Sequence, residues 1–187
     1  MNNLGELASD SQTRNTTSKQ SESVSLLQSA PSRSPLWLLI FPEGTITSDE
    51  ERVKSVRYAE REGIDDLATM LHPRSTGLLF CLKTLSAKVP DLQLLDLTIG
   101  YPGVPAGKYP QDYYGLFSVF LYGVPPPTLH IHIKIYNMSE IPKDGETRDF
   151  ELWLRGVWRE KEQRLLDFFD RQRFDGEVEE CVPIKQL

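Results

Sequence analysis

Leu36-Trp37-Leu38-Leu39-Ile40-Phe41 is a continuous apolar run ended by Pro42. Such a run predicts a strand buried on both faces, as in a parallel sheet. Pro42-Glu43-Gly44-Thr45 then predicts a turn, and Ser48 with Glu51 three residues later forms a capping-box pattern. Val53, Val56 and Ala59 recur at helical spacing, and Gly63 stands where the helix should stop. His72 to Gly77 reads as a second turn, followed by a largely apolar helix over 77–88 and a buried strand from Leu92 to Tyr101. Residues 102–127 mix Pro and Gly with aromatics and predict a long irregular excursion, with an extended segment from Leu116 to Tyr122. Thr128 to Tyr136 alternates: Leu129, Ile131, Ile133 and Ile135 share one face, and His130, His132, Lys134 and Tyr136 the other. That is the pattern of a half-exposed strand near a sheet edge. Residues 149–172 predict a long amphipathic helix with Phe150, Trp153, Leu154, Val157, Leu165 and Phe168 toward the core, Trp158 partly exposed, and the charged run Arg159 to Arg164 on a solvated face.

The order strand, turn, helix places the Pro42–Thr45 turn at the carboxyl end of a buried strand, where open α/β sheets bind ligands. The predicted organisation has three parts. Residues 1–35 are rich in Ser, Thr, Asn and Gln without an aromatic, and read as a disordered tail or insertion loop. Residues 36–174 form the folded part, and 175–187 a loose polar tail. A chain of 187 residues fits one domain. Its net charge of −6 gives no reason to expect nucleic acid as a partner. Cys81 and Cys181 make no disulfide framework and fit a reduced intracellular compartment. No apolar run approaches the ~20 residues of a membrane span, and no signal-peptide core is visible.

The chemistry most worth weighing is in Phe41-Pro42-Glu43-Gly44-Thr45. Glycine lets the backbone approach a ligand, a carboxylate beside it accepts hydrogen bonds from hydroxyls, and the helix N-terminus that follows favours phosphate. Arg52 and Lys54 could add cations. On spacing alone the same residues also make an ordinary strand-ending turn with a solvated Glu. His130 and His132 could hold a metal but lack a third ligand nearby, so no metal site is assigned. Cys81, among Leu79, Phe80 and Leu82, reads as a core thiol rather than a nucleophile, and Lys83 and Lys88 as surface lysines.

Beyond single motifs, Trp37 to Thr45, Arg52, Lys54-Ser55, Tyr58-Ala59, Pro73 to Leu78, Asp96 to Tyr101, Asp112-Tyr113-Tyr114 and His130 to Ile133 follow one another in an order that resembles the glycerolipid acyltransferases. They are most similar to the branch with lysocardiolipin and lysophosphatidylinositol acyltransferases, especially its fungal members. The resemblance covers roughly residues 36–174. It implies an α/β acyltransferase-type domain with a mostly parallel central sheet flanked by helices, incomplete on its N-terminal side. It implies acyl transfer from acyl-CoA, as co-substrate and without further cofactor, to the free hydroxyl of a lysophospholipid or lysophosphatidic acid. The expected setting is a membrane surface at the cytosolic face of the endoplasmic reticulum or another endomembrane. In that family a histidine takes the hydroxyl proton and an aspartate five residues later orients it. The third conserved block, matched by Pro42, Glu43, Gly44 and Thr45, helps bind the glycerophospholipid headgroup. Arg52 and Arg74 are the further substrate-binding candidates, Pro73-Arg74 matching the segment near the fourth block.

Two departures stand out. The three histidines, His72, His130 and His132, meet Gly77, Ile135 and Asn137 five residues on, so the first block is absent and no catalytic residue is assigned. Ile46 occupies the place where phosphatidic-acid-forming relatives often carry arginine, as the lysocardiolipin branch does not. The alternative reading is a truncated, non-catalytic remnant that binds a lipid headgroup or a protein partner.

Overall fold

The computed structural model describes residues 36–176. The tail expected over 1–35 and all of the expected polar tail beyond residue 176 lie outside these residues.

Helix α1, Asp49–Glu62, begins and ends on the expected residues. Ser48 Oγ accepts from the Glu51 N–H at 3.3 Å, and Gly63 sits in the left-handed region at φ 63°, its N–H turned back to Ala59 and Glu60 carbonyls. Of the residues read at helical spacing, Ala59 is buried, Val56 half-buried and Val53 exposed, and Ser55 is buried beside them. The helix is held through polar contacts with the loop that follows it, where Ser55 Oγ accepts from the His72 N–H at 3.2 Å. Helix α2, Ser75–Ser86, buries Leu78, Leu79, Leu82 and Leu85.

Strands β1, Gln93–Gly100, and β2, His130–Asn137, pair antiparallel from Gln93 opposite Asn137 to Gly100 opposite His130. Between them run the excursion, with the short helix α3, Pro110–Tyr113, and a π-helical turn at Phe117–Leu121 in place of the expected extended segment. The long helix α4, Thr147–Arg171, closes the described fold and passes through Gly156 without a break. Its left-handed C-cap is Gln172, φ 56°.

Three expectations about the strands need correction. The sheet among the described residues is two-stranded and antiparallel, not the mostly parallel central sheet expected. Leu36–Phe41 is irregular rather than a buried strand, with Trp37, Leu39 and Phe41 exposed and Ile40 packed against the core. A strand needs a neighbour for its backbone N–H and C=O groups, and none lies beside this run among the described residues. The third correction concerns β1, expected as a buried strand but open on one face. Leu95, Leu97 and Ile99 of β1 lie opposite Ile135, Ile133 and Ile131 of β2, and this aliphatic face is open, Ile133 being 56% exposed. The face carrying Asp96, Thr98, His132 and Lys134 is the covered one.

Helix α4 explains why the polar face is the covered one, because it brings partners that fit it. Lys161 Nζ pairs with Asp96 and donates to the Leu97 carbonyl at 2.7 Å, and the side chains of the pair are 9% and 11% exposed. Lys134 pairs with Glu160 at 2.8 Å. Tyr136 meets Trp153 edge-on, and His130 meets Phe168 in the same way. Phe168 lies so close to Gly100 that a Cβ there would fall 2.5 Å from its ring. Lys161, Glu162 and Trp158 are therefore buried, against the solvated charge run and partly exposed tryptophan expected. Phe150, Leu154, Val157 and Phe168 are buried as the periodicity indicated, and Trp153 and Leu165 pack partly buried beside them.

Removing one member of a buried ion pair leaves an uncompensated charge, which typically costs about 3–5 kcal/mol, whereas replacing both by apolar groups is often neutral. Lys161→Met should lose stability in that range by urea unfolding, and Asp96→Leu/Lys161→Met should recover most of it. Equal losses in the single and double variants would mean that the pair does not hold α4 to the hairpin.

Candidate functional site

The Phe41–Gly44 turn closes through the Gly44 N–H donating to the Phe41 carbonyl at 3.0 Å. Gly44 has φ +76°, a conformation costly for any residue with a Cβ. The turn is fastened to the chain some thirty residues on, where the Arg74 N–H donates to the Pro42 carbonyl at 2.8 Å. The Arg74 side chain then lies across Gly44: a Cβ there would stand 3.4 Å from the Arg74 Cδ and Nε. Gly44, Thr45 and Arg74 are exposed together, and among the described residues the Arg74 guanidinium has no acidic partner. The structure thus brings Pro42, Glu43, Gly44, Thr45 and Arg74 into one place from two segments, at the N-terminus of α2.

Glu43 points the other way. Its Oε2 lies 3.4 Å from the Thr47 hydroxyl, which donates to it. Burial pushes its pKa above the usual carboxylate value, opposed by the Leu71 backbone, Thr47, Lys161 and the Trp158 indole. The Trp158 Nε1–H is buried with no hydrogen bond of normal geometry, so Glu43 is its neighbouring acceptor without closing a full bond. The carboxylate is directed into the fold, toward α4, while the glycine and threonine beside it face outward.

Arg52 is not gathered with these residues. Its guanidinium donates to the Met70 carbonyl at 2.7 Å and pairs with Asp66 at 2.6 Å, which fastens α1 to the 64–72 loop. Lys54 pairs with Glu51 on the exposed side of α1. Glu162 of α4 grips the same loop, accepting from the Ala68 N–H at 2.6 Å, the Thr69 N–H at 3.1 Å and the Thr69 hydroxyl. His72 lies in this loop with Nε2 3.6 Å from Asp66 and its ring against Tyr58. Burial lowers its pKa, opposed by the neighbouring Asp66 carboxylate.

Trp158, Lys161 and Glu162 were missed as site-supporting residues, although a signal was present. Leu154, Val157, Trp158, Lys161, Leu165 and Phe168 lie three or four residues apart and share one helical stripe. Reading the segment as a charge run hid the position of Lys161 on the buried stripe. Thr47 is a further supporting residue with no sequence signal: its carbonyl accepts from the Gln111 side chain, while Tyr109 donates to Asp49 at 2.9 Å. These bonds fasten the root of the excursion to the start of α1.

The raised pKa of Glu43 fixes the sign of a pH effect. A carboxyl that binds its proton more tightly when folded adds stability below its unfolded pKa, and loses that contribution as pH rises through the folded value. Compared with Glu43→Gln, the wild-type chain should be relatively more stable in acid, below about pH 4, than at pH 7. Urea unfolding of both proteins across that window measures the difference. A wild-type advantage that grows toward pH 7 would show that Lys161, Trp158 and Thr47 hold the carboxylate charged.

The family profile described as Acyltransferase C-terminus matches residues 119–187. The chain is 37% identical over 145 residues to 2-acyl-1-lysophosphatidylinositol acyltransferase of Saccharomyces cerevisiae, which covers 78% of this chain and 36% of that protein. It is 34% identical over 146 residues to lysocardiolipin acyltransferase 1 of Danio rerio, covering 77% and 35% respectively. It is 33% identical over 145 residues to probable 1-acyl-sn-glycerol-3-phosphate acyltransferase 5 of Arabidopsis thaliana, covering 78% and 35%. No solved structure matches. The chain spans about a third of the length of these curated relatives, and over that part it is similar in sequence to proteins named as lysophospholipid and lysophosphatidic acid acyltransferases.

Proposed function

We propose that the chain supplies the acceptor-binding part of an enzyme that moves an acyl group from acyl-CoA to the free hydroxyl of a lysophospholipid or lysophosphatidic acid, at the cytosolic face of the endoplasmic reticulum or another endomembrane. The names of its relatives support the reaction class. One observation carries the assignment to this site: the Gly44-Thr45 turn and the Arg74 guanidinium, which has no acidic partner among the described residues, meet on the surface at the start of α2. A fixed guanidinium beside exposed backbone and a helix N-terminus suits a phosphate oxygen. The headgroup phosphate would rest on Arg74 and the turn, with Thr45 free to donate its hydroxyl. Glu43 acts from behind, holding the turn against α4 rather than touching lipid.

In the reaction the acceptor hydroxyl oxygen attacks the thioester carbonyl, the carbon–sulfur bond breaks and coenzyme A leaves as the thiol. The hydroxyl proton needs a base, and no histidine in this sequence has aspartate five residues on. The open aliphatic face of Leu95, Leu97, Ile99, Ile131, Ile133 and Ile135 is the surface on which a histidine-aspartate half would pack, since flat aliphatic sheet faces pair well with another layer.

The test follows thioester loss from acyl-CoA with a panel of lysophospholipids. The chain alone should turn over about 100- to 10,000-fold more slowly than the chain joined to a histidine-aspartate segment, the usual cost of losing a general base. In the joined protein Arg74→Ala should lower kcat/KM about 10- to 100-fold, the worth of a charge-assisted hydrogen bond. Saturable turnover by the chain alone would overturn the division of labour. Unchanged kinetics in Arg74→Ala would remove the headgroup role. Lysophospholipid binding without turnover in the joined protein would favour a non-catalytic headgroup binder.

A further inference from the structure

The excursion between β1 and β2 carries the most exposed apolar side chains outside the Leu36–Phe41 run and the sheet face. From Tyr113 to Leu129 there is no charged residue. Within that stretch Phe117 is 74% exposed and Phe120 82%, and Leu116, Leu121, Tyr122 and Val124 are exposed beside them. This is a contiguous apolar patch of the kind that marks an interaction surface. We propose that the Tyr113–Val124 turn is a membrane-docking element, which enters the headgroup and upper acyl region of a bilayer and holds the candidate site against the lipid surface.

Three features select a bilayer over a protein layer as the occupant. The first is composition. The open sheet face is aliphatic, flat and of period two, as expected where another layer of protein packs. The excursion is instead rich in Phe and Tyr with glycine and proline around them, and amphipathic aromatic rings are favoured at the membrane–water boundary. The second is backbone satisfaction. Polar backbone can enter an apolar medium only if its hydrogen bonds are made internally. Here Val119 N–H donates to Gly115 O at 3.0 Å, Tyr122 N–H to Phe117 O at 3.0 Å, and Val124 N–H to Ser118 O at 2.9 Å. These bonds hold the tip in a compact turn made within its own segment. The third is attachment. Tyr101 and Tyr114 stack at 6.3 Å, Gln111 donates to the Thr47 carbonyl, and Tyr109 donates to Asp49. The root is therefore tied to the segment just after Glu43-Gly44-Thr45, so docking the tip would place that turn near the bilayer. A cleft of about 120 Å³ lies at this root, between Thr47, Ile99, Val104, Tyr109 and Phe168. No helix among the described residues is long and apolar enough to cross a membrane, so the contact is interfacial.

The inference needs a lipid surface but not acyl transfer, so its test contains no turnover and fails independently of the reaction proposed above. The chain is floated with vesicles of phosphatidylcholine and phosphatidylinositol, beside Phe117→Asp/Phe120→Asp. Both substituted positions are exposed, so the fold should survive, which circular dichroism checks. The double variant should lose at least about tenfold in vesicle partitioning, since each lost ring removes a hydrophobic contribution. In a second arm, Phe120→Trp and Ile133→Trp place a reporter on the excursion and on the sheet face, and quenching by brominated lipids is compared with the wild-type background. Quenching of Phe120→Trp well above Ile133→Trp supports docking through the excursion. Wild-type partitioning by the double variant, or quenching of Ile133→Trp equal to or above that of Phe120→Trp, overturns it and leaves the excursion as a surface for another protein.

Discussion

The ion pair between Lys161 and Asp96 is the constraint on which the described fold turns. Both side chains are almost fully buried, and in that setting each charge is tolerable only beside the other. Asp96 lies on one face of β1 and Lys161 on the inner stripe of α4, so pairing them commits the polar face of the hairpin to the helix. The aliphatic residues, alternating with the polar ones at period two, then have only the opposite face to occupy. One buried charge pair thereby overrides the simplest rule of strand burial, that the apolar face goes inward.

The same helix organises the candidate site. One position beyond Lys161, Glu162 grips the Ala68–Thr69 backbone, and three before it Trp158 turns its indole toward Glu43. Arg155 reaches Tyr58 of α1 at 2.9 Å and pairs with Glu151. Helix α4 therefore fixes the loop carrying Pro73-Arg74 and the turn carrying Glu43-Gly44 against one scaffold. A site assembled from separate segments needs such a common support, because small displacements of either side would part Arg74 from Gly44.

Beside the Leu36–Phe41 run, two uncovered apolar surfaces differ in their chemistry. The sheet face is built from leucine and isoleucine in register, a surface suited to close packing by another layer. The excursion is aromatic, irregular and closed on its own hydrogen bonds. The acyl transfer proposed for the chain would use both kinds of contact: protein packing to complete a catalytic centre, and an interfacial surface to meet an acceptor held in a membrane.

The sequence by itself determined the elements with strong local signals. Ser48 and Gly63 bounded α1 because capping and left-handed geometry are set within a turn of the helix. The 3.6-residue periodicity set α4 to within two residues at its start and one at its end. The order of motifs also placed the chain among the acyltransferases, because motif matching requires no knowledge of packing. Tertiary structure alone decided the rest. Whether Leu36–Phe41 pairs as a strand depends on neighbours supplied by distant segments, which its own apolar character cannot reveal. Which face of β2 is covered depended on Lys161, a residue twenty-four positions beyond the strand's last, whose place on the inner stripe of α4 does not by itself name Asp96 as its partner. The inward direction of Glu43 and the approach of Arg74 to Gly44 are likewise long-range facts: a local pattern can nominate a carboxylate or a guanidinium, but only the packing of α4 settles which way each one faces.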